Sequence, residues 1–341
     1  MFNINVNAHT PIYKQLISEI ERKIDNGELR EGDCLPSMSE LSTMLDISKE
    51  TVKKVYSILR ERGLVESLHG KGFFVTQWRE SRRLRIFVLF DKLSQYKQVL
   101  YDAFAERIGD RAEMTMYIYD QDISTFEEFI DNALDRYDYY IVTPHLPLDS
   151  VMQARALKAL KRIPNRKLIM LDHWMRSLQG HYGAVYQDMA NDIYGGLSEA
   201  LNDLRKYDKL HVVTLSNSLY GSLIAAGIER FSADKNIDVE FHYEINAEML
   251  KKGGVYLLLN GQLGFGLVEI ARYAKASGLA IGSDIGIISY NDSYLSEVIL
   301  GGLTTVSTDF AQMGKLAAEM VISRNLEKIK CDFRITRRNT F

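Results

Sequence analysis

Lysines near residue 50 and a glycine-rich turn near residue 70 have the chemistry needed to bind phosphate groups. Lys49, Lys53 and Lys54 lie near the amino end of a predicted helix, and Lys71 lies in the turn HGKG at 69–72. Lysine ammonium groups neutralise backbone phosphates, and glycines let a turn approach a phosphate backbone closely. The pattern predicts a surface for double-stranded DNA, although a solvated helix face is an equal alternative for each single lysine.

The stretch LPSMSELSTMLDISKETVKKVYSILRERGLVESLHGKGFFV at 35–75 predicts the elements that position these lysines. Ser37 and Glu40 have the spacing of a capping box, so a helix is expected to begin there. Ser48 is a second N-cap candidate before a helix that ends at Gly63. Two alternating runs around the glycine-rich turn then predict a hairpin. Helix, helix and hairpin in this order form a winged helix-turn-helix.

Acidic and amide side chains near the ends of predicted strands form a second chemical set. Carboxylate and amide groups exchange hydrogen bonds with sugar hydroxyls, while aromatic rings cover the apolar face of a sugar. A loop-capping or core role is the alternative for each residue taken singly. The polar candidates are Asp91, Asp172, Asp188, Asn260, Asn291 and Asp292, and the aromatic side chains near them are Phe90, Tyr96, Trp174, Tyr186 and Tyr290.

Short apolar runs alternate with amphipathic segments from residue 84 onward. Continuous apolar strands separated by helices are typical of parallel sheets covered on both faces. The predicted fold class is α/β, with two lobes whose strand ends meet across a ligand cleft. The predicted strands are 84–90, 114–119, 139–143, 167–171, 210–215, 255–259 and 285–289, and the predicted helices are 126–137, 191–205, 220–234 and 263–277.

Composition limits the class of protein. The chain has 341 residues, 46% of them hydrophobic, which is enough for two or three domains with substantial cores. Residues 1–85 contain 14 Lys and Arg against 12 Asp and Glu, whereas the remainder contains 28 against 33, so local basic faces are expected rather than general coating of nucleic acid. Cys34 and Cys331 form no paired framework, and no apolar run approaches the roughly 18 residues of a membrane span. A soluble, cytoplasmic protein is expected.

Five segments resemble the GntR family of bacterial transcription regulators in order and spacing: PIYKQL at 11–16, NGEL at 26–29, GDCLPS at 32–37, SKETV at 48–52 and GKGFFV at 70–75. The resemblance covers residues 9–76. It implies a DNA-binding domain at 1–77 followed by a linker at 78–84. It also implies DNA contacts from Ser37, Lys49, Thr51, Lys53, Gly70 and Lys71.

The remainder is similar to the LacI-type effector domain, which shares the fold of periplasmic sugar-binding proteins. The segments that carry this resemblance are LLNGQLGFG at 258–266, DIGIISYNDS at 284–293 and GLTTVSTDFAQMGKLAAEMVI at 302–322. It implies an effector domain at 85–341, with ligand contacts from Asp172, Asp188, Asn260 and Asn291. Ile224 stands where that family often has an arginine, which favours a neutral ligand.

Together the two resemblances imply a homodimeric, ligand-responsive repressor that binds a DNA operator. Its effector is expected to be a monosaccharide, with arabinose- and fucose-responsive repressors as analogues. The alternative is an enzyme on a carbohydrate or phosphorylated metabolite, with Asp172 and Asp188 as paired carboxylates about 5–9.5 Å apart. The sequence contains no GxxxxGK[ST], HExxH or GxSxG motif, so no cofactor is predicted. His173 and His181 beside Asp172 lack a fourth ligand, so no metal site is predicted there either.

Overall fold

The structure is a computed structural model that describes residues 2, 4, 10–25, 27–61, 63–68, 71–76, 83–215, 218–259 and 266–341. The chain divides into two compact units, Met1–Arg83 and Leu84–Phe341. Among the described residues, no helix combines the length and the apolar character that crossing a membrane requires.

The amino-terminal unit has the predicted order of elements. Ser37 Oγ accepts from the backbone N–H of Glu40 at 3.2 Å, and the Glu40 carboxylate accepts from the Ser37 backbone at 2.8 Å, which confirms the capping box. Ser48 Oγ likewise accepts from the backbone of Thr51 at 3.1 Å. The elements are α1 (Ile12–Asp25), β1 (Cys34–Leu35), α2 (Met38–Leu45), α3 (Lys49–Glu61), β2 (Val65–Leu68) and β3 (Gly72–Val75), and β3 pairs antiparallel with both other strands.

One apolar core holds this unit together. Helix α3 contributes Val52, Val55 and Leu59 at its expected spacing, and none of the three is exposed to solvent. Helix α1 contributes Leu16 and Ile20, which are also fully buried. Burial of one face leaves the opposite face of α3 exposed, and that face carries the lysines.

The carboxy-terminal unit is built from strands that alternate with helices. The strands are β4 (Leu84–Phe90), β5 (Ala112–Ile118), β6 (Tyr139–Val142), β7 (Leu168–Asp172), β8 (Gly183–Tyr186), β9 (Lys209–Val213), β10 (Val239–His242), β11 (Gly254–Leu258), β12 (Gly286–Tyr290), β13 (Thr304–Thr308), β14 (Lys328–Lys330) and β15 (Phe333–Thr336). The helices are α4 (Gln95–Ile108), α5 (Ile123–Ala133), α6 (Ser150–Leu160), α7 (Met189–Glu199), α8 (Leu201–Leu204), α9 (Gly221–Lys235), α10 (Leu267–Ala276) and α11 (Phe310–Ser323). Short 3₁₀ turns lie at Gly109–Arg111, Asn165–Lys167, Ala247–Met249, Tyr294–Glu297 and Ile299–Gly301.

These strands form two six-stranded sheets, which confirms the two-lobed α/β fold. Lobe 1 has the order β14-β8-β7-β6-β4-β5, with every pair parallel. Lobe 2 has the order β10-β9-β11-β12-β13-β15, parallel except that β15 runs antiparallel to β13. The chain passes between the lobes after β8, after β13 and after β14. The carboxyl ends of the central strands therefore lie close to the crossover segments.

Apolar side chains cover both faces of each sheet, which accounts for the continuous apolar runs in the strands. In lobe 1, α5 and α6 pack on one face, while α4 and α11 pack on the other. Helices α4 and α11 approach each other closely at Gly314, where an added Cβ would lie 2.2 Å from the backbone oxygen of Leu100. A helix from the end of the chain thus completes the core of the first lobe.

Candidate functional site

The amino end of α3 presents cations to solvent. Lys49 and Lys53 are exposed, and Lys53 Nζ lies 3.9 Å from Glu50 Oε1, a separation that leaves its ammonium group accessible. Thr51 is half-buried, and its hydroxyl lies 2.8 Å from that of Ser48. Lys49, Thr51 and Lys53 therefore share the amino end of the helix, as insertion of a recognition helix into a major groove requires.

The other predicted DNA contacts differ in their local surroundings. Lys54 is exposed, but its Nζ lies 3.9 Å above the ring of Tyr13 in α1. The Ser37 hydroxyl is engaged in the capping box, and Lys71 is exposed beside the hairpin. Gly70 lies outside the described residues. Lys54 thus has a partner within the unit, whereas Lys49, Lys53 and Lys71 present exposed side chains.

A buried tyrosine fixes the hairpin beside α3. The hydroxyl of Tyr56 donates to the backbone oxygen of Pro36 at 2.6 Å, and its ring centroid lies 4.5 Å from that of Phe73 in β3. One α3 side chain therefore touches both the start of α2 and the hairpin. This contact sets the relative positions of the elements that carry the exposed lysines.

In the carboxy-terminal unit, a buried ion pair lies at the carboxyl end of β4. Asp91, the first residue after the strand, contacts the ammonium group of Lys97 in α4, and the two side chains are 0% and 1% exposed. The side-chain amide of Gln121 also donates to Asp91 Oδ2 at 3.3 Å. Isolated buried charges are strongly unfavourable, so the lysine and the amide are what make a buried Asp91 carboxylate tolerable.

A second buried carboxylate ends β7 and connects to lobe 2. Asp172 Oδ1 accepts from the side-chain amide of Gln187, and Gln187 Oε1 accepts from the Thr308 hydroxyl at the end of β13 at 2.9 Å. His145, just after β6, places Nδ1 3.7 Å from Asp172 Oδ2 and 3.9 Å from Asp91 Oδ2. The imidazole therefore lies between the two carboxylates.

Tyr220 of lobe 2 covers this group from the opposite side. Its ring centroid lies 4.4 Å from that of His145 and 4.9 Å from that of His173, and its ring is stacked on His173. Its hydroxyl is 3.5 Å and 3.4 Å from the backbone oxygens of residues 144 and 146. Both lobes thus contribute to one cluster. The inter-lobe site is defined as Asp91, Lys97, His145, Asp172, Gln187 and Tyr220.

Burial sets the protonation states in the inter-lobe site. It lowers the pKa of Lys97 to about 8, and the charge of Asp172 opposes this shift, so the ammonium form predominates at neutral pH. Burial likewise lowers the pKa of His145, so its imidazole is neutral. Burial alone would raise the pKa of Asp172, but His145 and Lys97 outweigh it and hold that pKa well below its usual value. The site then contains two carboxylates and one ammonium group.

Several buried polar atoms around the inter-lobe site have no hydrogen-bond partner among the described residues. They come from the ends of strands in both lobes and from the start of α4. Buried polar groups are normally paired, and leaving one unpaired costs about 1–3 kcal/mol. The atoms are Ser94 Oγ, Thr143 Oγ1, His145 Nδ1, Asp172 Oδ2, Thr214 Oγ1, the Tyr290 hydroxyl and Asn291 Oδ1. Such a set can exchange hydrogen bonds with a small polar molecule.

Comparison with known proteins finds a matching family profile in each of the two units. The profile described as "Bacterial regulatory proteins, gntR family" matches residues 12–75, and the "Periplasmic binding protein-like domain" profile matches residues 266–330. The chain is 32% identical over 103 residues to the HTH-type transcriptional repressor YtrA of Bacillus subtilis (strain 168), covering 30% of this chain and 78% of YtrA. The chain belongs to the GntR family of bacterial regulatory proteins.

A further relative matches a quarter of this GntR-family chain. The mannosyl-D-glycerate transport/metabolism system repressor MngR of Escherichia coli (strain K12) is 34% identical over 85 residues, which is 25% of this chain and 35% of MngR. The chain thus spans most of YtrA but only about a third of MngR. The similarity establishes the DNA-binding family and a transcription regulator rather than an enzyme.

Solved structures show the fold of the rest of this GntR-family chain. The lac repressor dimer bound to operator and the anti-inducer ONPF aligns with a TM-score of 0.60 at 18% identity, over 77% of this chain and 96% of that one. A LacI-family regulator from Enterococcus faecium with bound ribose aligns with a TM-score of 0.58 at 19% identity, over 75% of this chain and 98% of that one. The carboxy-terminal unit therefore has a LacI-like, periplasmic-binding-protein-like fold.

The structure brings only part of the predicted ligand set into the inter-lobe site. Asp91 and Asp172 lie in it, and Asn291 follows β12 with one of the unpaired buried atoms. Asp172 and Asn291 have φ of +69° and +72° at the ends of their strands. Aspartate and asparagine are the non-glycine residues that tolerate this left-handed conformation best, so their types suit these positions.

The other predicted ligand residues have partners of their own. Tyr96 packs on Phe310 with ring centroids 4.6 Å apart, and Tyr186 packs on Trp174 at 4.7 Å. The remaining two are acidic: Asp188 Oδ2 accepts from the Asn191 amide at 2.8 Å, and Asp292 forms a 2.9 Å ion pair with Arg338. Asn260 lies outside the described residues. These contacts give Asp188 and Asp292 structural partners near the ends of β8 and β12.

Sequence reasoning on this GntR-family chain missed four members of the inter-lobe site: Lys97, His145, Gln187 and Tyr220. His145 and Gln187 follow β6 and β8 within three residues, so a systematic reading of the residues after each strand would have found them. Tyr220 is the first residue of the predicted helix 220–234, and in the structure it immediately precedes α9. Lys97 gave no signal, because a lysine in a helix is expected to be exposed.

Proposed function

We propose that this chain is a cytoplasmic repressor whose operator affinity is controlled by a monosaccharide bound at the inter-lobe site. The observation that supports the ligand is the set of unpaired buried polar atoms contributed by both lobes. The proposed division is a DNA-binding domain at 1–77, a linker at 78–84 and an effector domain at 85–341. Fucose and arabinose are the first candidates. The ribose in the Enterococcus faecium regulator supports this ligand class for the fold.

The charges of the inter-lobe site favour a neutral sugar over a sugar phosphate. Its two carboxylates outnumber its one ammonium group, and the lowered pKa of His145 keeps that imidazole uncharged. Ile224, at the position where related effector domains often have arginine, is 6% exposed and packs in the apolar core of lobe 2. An anionic ligand would therefore meet net repulsion in a site that is poorly screened.

The proposed DNA-binding surface consists of Ser37, Lys49, Thr51, Lys53, Lys54, Gly70 and Lys71. A homodimer would place two such surfaces in successive major grooves about 34 Å apart. The lac repressor structure, a dimer on its operator, is the precedent for such an assembly. Ligand controls operator affinity only if it binds two arrangements of the dimer with different affinity, and DNA must then alter ligand affinity by the same factor.

Ligand binding is tested with two isosteric substitutions, one in each lobe. Thr143→Val and Thr214→Val remove hydroxyl groups that are buried and unpaired, so neither is expected to destabilise the ligand-free chain. Each should weaken the binding of L-fucose or L-arabinose, measured by thermal shift and calorimetry. Loss of one hydrogen bond of about 1 kcal/mol corresponds to roughly fivefold in Kd.

Thr304→Val is the matched control, since its hydroxyl already accepts from the Arg338 backbone at 2.8 Å. It should lower thermal stability without a specific effect on ligand affinity. Absence of binding across a panel of monosaccharides, or unchanged affinity in both unpaired-hydroxyl variants, would contradict the proposed ligand site.

DNA binding is tested by the salt dependence of affinity for a duplex of random sequence, followed by fluorescence anisotropy. Each phosphate contact contributes about 0.9 to the slope of log K against log salt concentration. Lys53→Ala and Lys71→Ala should each lower the slope by about this amount. Lys252→Ala, an equally exposed lysine of the carboxy-terminal unit, is the control. Equal slopes in all four proteins would refute the assigned surface.

A further inference from the structure

Two histidines and a glutamate meet on one face of the lobe 2 sheet, and none of them belongs to the inter-lobe site. His211 lies in β9, and Glu240 and His242 lie in the edge strand β10. Glu240 is directly opposite His211 in the parallel register, and His242 is two residues further along the same strand. Side chains at these positions project from the same face of a sheet. The three side chains therefore converge because of strand register, not because of a flexible loop.

The ligand atoms of this cluster lie at distances suited to one metal ion. His211 Nδ1 is 2.9 Å from His242 Nε2, and these nitrogens are 3.9 Å from Glu240 Oε2 and Oε1 respectively. Two ligands at tetrahedral angles on Zn²⁺, with Zn–N bonds of about 2.0–2.1 Å, lie about 3.3 Å apart. The observed separations bracket that value. Moving the two imidazole rings slightly apart and rotating the half-exposed Glu240 side chain slightly inward would bring the ligand atoms to this separation.

The surroundings hold the first imidazole in place. His211 stacks on Tyr256 in β11 with ring centroids 4.8 Å apart and planes 9° from parallel. The Tyr256 hydroxyl donates to the backbone oxygen of Met249 at 2.8 Å and accepts from the backbone of Lys251 at 3.0 Å. Fixed ligand orientation of this kind lowers the entropic cost of metal binding.

The protonation state of His211 also favours metal binding. Burial and the neighbouring His242 lower the pKa of His211, so the neutral imidazole that a metal requires is present at neutral pH. Lys209 opposes binding, because its ammonium group lies 3.2 Å from Glu240 Oε2 and 3.2 Å from Asp238 Oδ2. Glu240 therefore exchanges one cation for another when a metal binds.

We propose that His211, Glu240 and His242 form a binding site for a divalent transition metal, with Zn²⁺ as the best-suited ion. Two imidazoles and a carboxylate supply three ligands, and water occupies the fourth position. The ion would join the edge strand β10 to β9. The oxygen-seeking ions Ca²⁺ and Mg²⁺ are excluded by the two nitrogen ligands.

The test is titration of the chelator-treated full chain with ZnCl₂ by calorimetry, with Co²⁺ absorption as a report on tetrahedral coordination. Removing even a group that only supports a metal ligand typically costs about 10–100-fold in affinity. His242→Ala and Glu240→Gln should therefore each weaken Zn²⁺ binding at least tenfold. His181→Ala, which removes an exposed histidine elsewhere, should leave binding unchanged.

Lys209→Met is expected to change Zn²⁺ affinity in the opposite direction from the ligand variants. It removes the cation that competes for Glu240, so Zn²⁺ affinity should rise. The proposal is overturned if the chain binds no Zn²⁺, if His242→Ala and Glu240→Gln bind it as the unmodified chain does, or if Lys209→Met weakens binding. Because loss of fold would not increase affinity, the Lys209 variant keeps the test decisive even if a histidine variant is unstable.

Discussion

Lys97 neutralises a fully buried carboxylate, so its removal is expected to destabilise the carboxy-terminal unit strongly. Lys97→Met keeps the length of the side chain and removes its charge, which leaves Asp91 with the Gln121 amide at 3.3 Å. Both partners are at most 1% exposed, so solvent screening does not reduce the effect. Breaking a buried ion pair by removing one partner costs about 3–5 kcal/mol, and that is the expected loss in free energy of unfolding.

The assay is urea unfolding followed by Trp174 fluorescence in a Trp78→Phe background, so that the signal reports the carboxy-terminal unit. The double variant Asp91→Asn/Lys97→Met removes both charges and should recover most of the loss. Arg107→Met is the control, because its ion pair with Glu319 is nearly half exposed on both sides and should contribute below about 1 kcal/mol. Equal losses in the single and double variants would refute the assignment of Lys97 as the counter-ion of Asp91.

Two further outcomes follow from the same structure. Ser37→Ala removes the side-chain half of the capping box and should lower the free energy of unfolding of the amino-terminal unit by about 1 kcal/mol, measured by urea unfolding followed by circular dichroism; an unchanged midpoint would contradict the cap. Burial lowers the pKa of His145 and His173, so the unfolded chain binds more protons and stability should fall as pH decreases from about 7.5 to about 5.5. His145→Gln should reduce that slope, and an identical slope would show that His145 does not titrate on unfolding.

The sequence predicted seven strands from their continuous apolar runs, but it missed β8, a buried inner strand of only four residues, GAVY. All seven predicted runs lie on strands of the two sheets, with ends that differ by at most two residues. The strand β13 was missed because it is TTVST, which reads as polar although all five residues are buried. Its hydroxyl groups are paired: Thr304 Oγ1 donates to the backbone oxygen of Arg338 at 3.2 Å, for example. Hydrogen bonding within the fold thus made a polar sequence compatible with a core strand.

The helices were less predictable where a tertiary contact replaces an apolar stripe. Helix α4 was not predicted, and it contains the buried Lys97 as well as apolar residues that contact α11 from the far end of the chain. The close approach at Gly314 likewise depends on a partner more than two hundred residues away. Local periodicity carries no information about either contact. The amino-terminal unit was predicted more completely because its caps and its hairpin depend on residues a few positions apart.

The same distinction explains the outcome for the candidate ligand site. Asp91, Asp172 and Asn291 could be found because they follow strands, and the carboxyl ends of parallel strands meet at one edge of a sheet. The groups that determine their charge come from other elements, and no spacing in the sequence connects them. The cluster of His211 with His242 shows this again, since strand register joins residues on neighbouring strands that have no motif spacing.

The inter-lobe contacts offer a physical route from a bound ligand to a change in lobe arrangement. Gln187 lies in the first crossover and bonds to Asp172 of lobe 1 and to Thr308 of lobe 2, so its side-chain amide joins the lobes through one planar group. Lys330 of β14 adds a 2.5 Å ion pair to the buried Asp192 of α7. A sugar hydroxyl that binds Asp172 must compete with, or rearrange, the Gln187 amide and therefore alters a bond to the other lobe. Ligand affinity and lobe arrangement then depend on the same side chain, which is the differential interaction that a ligand-controlled equilibrium requires.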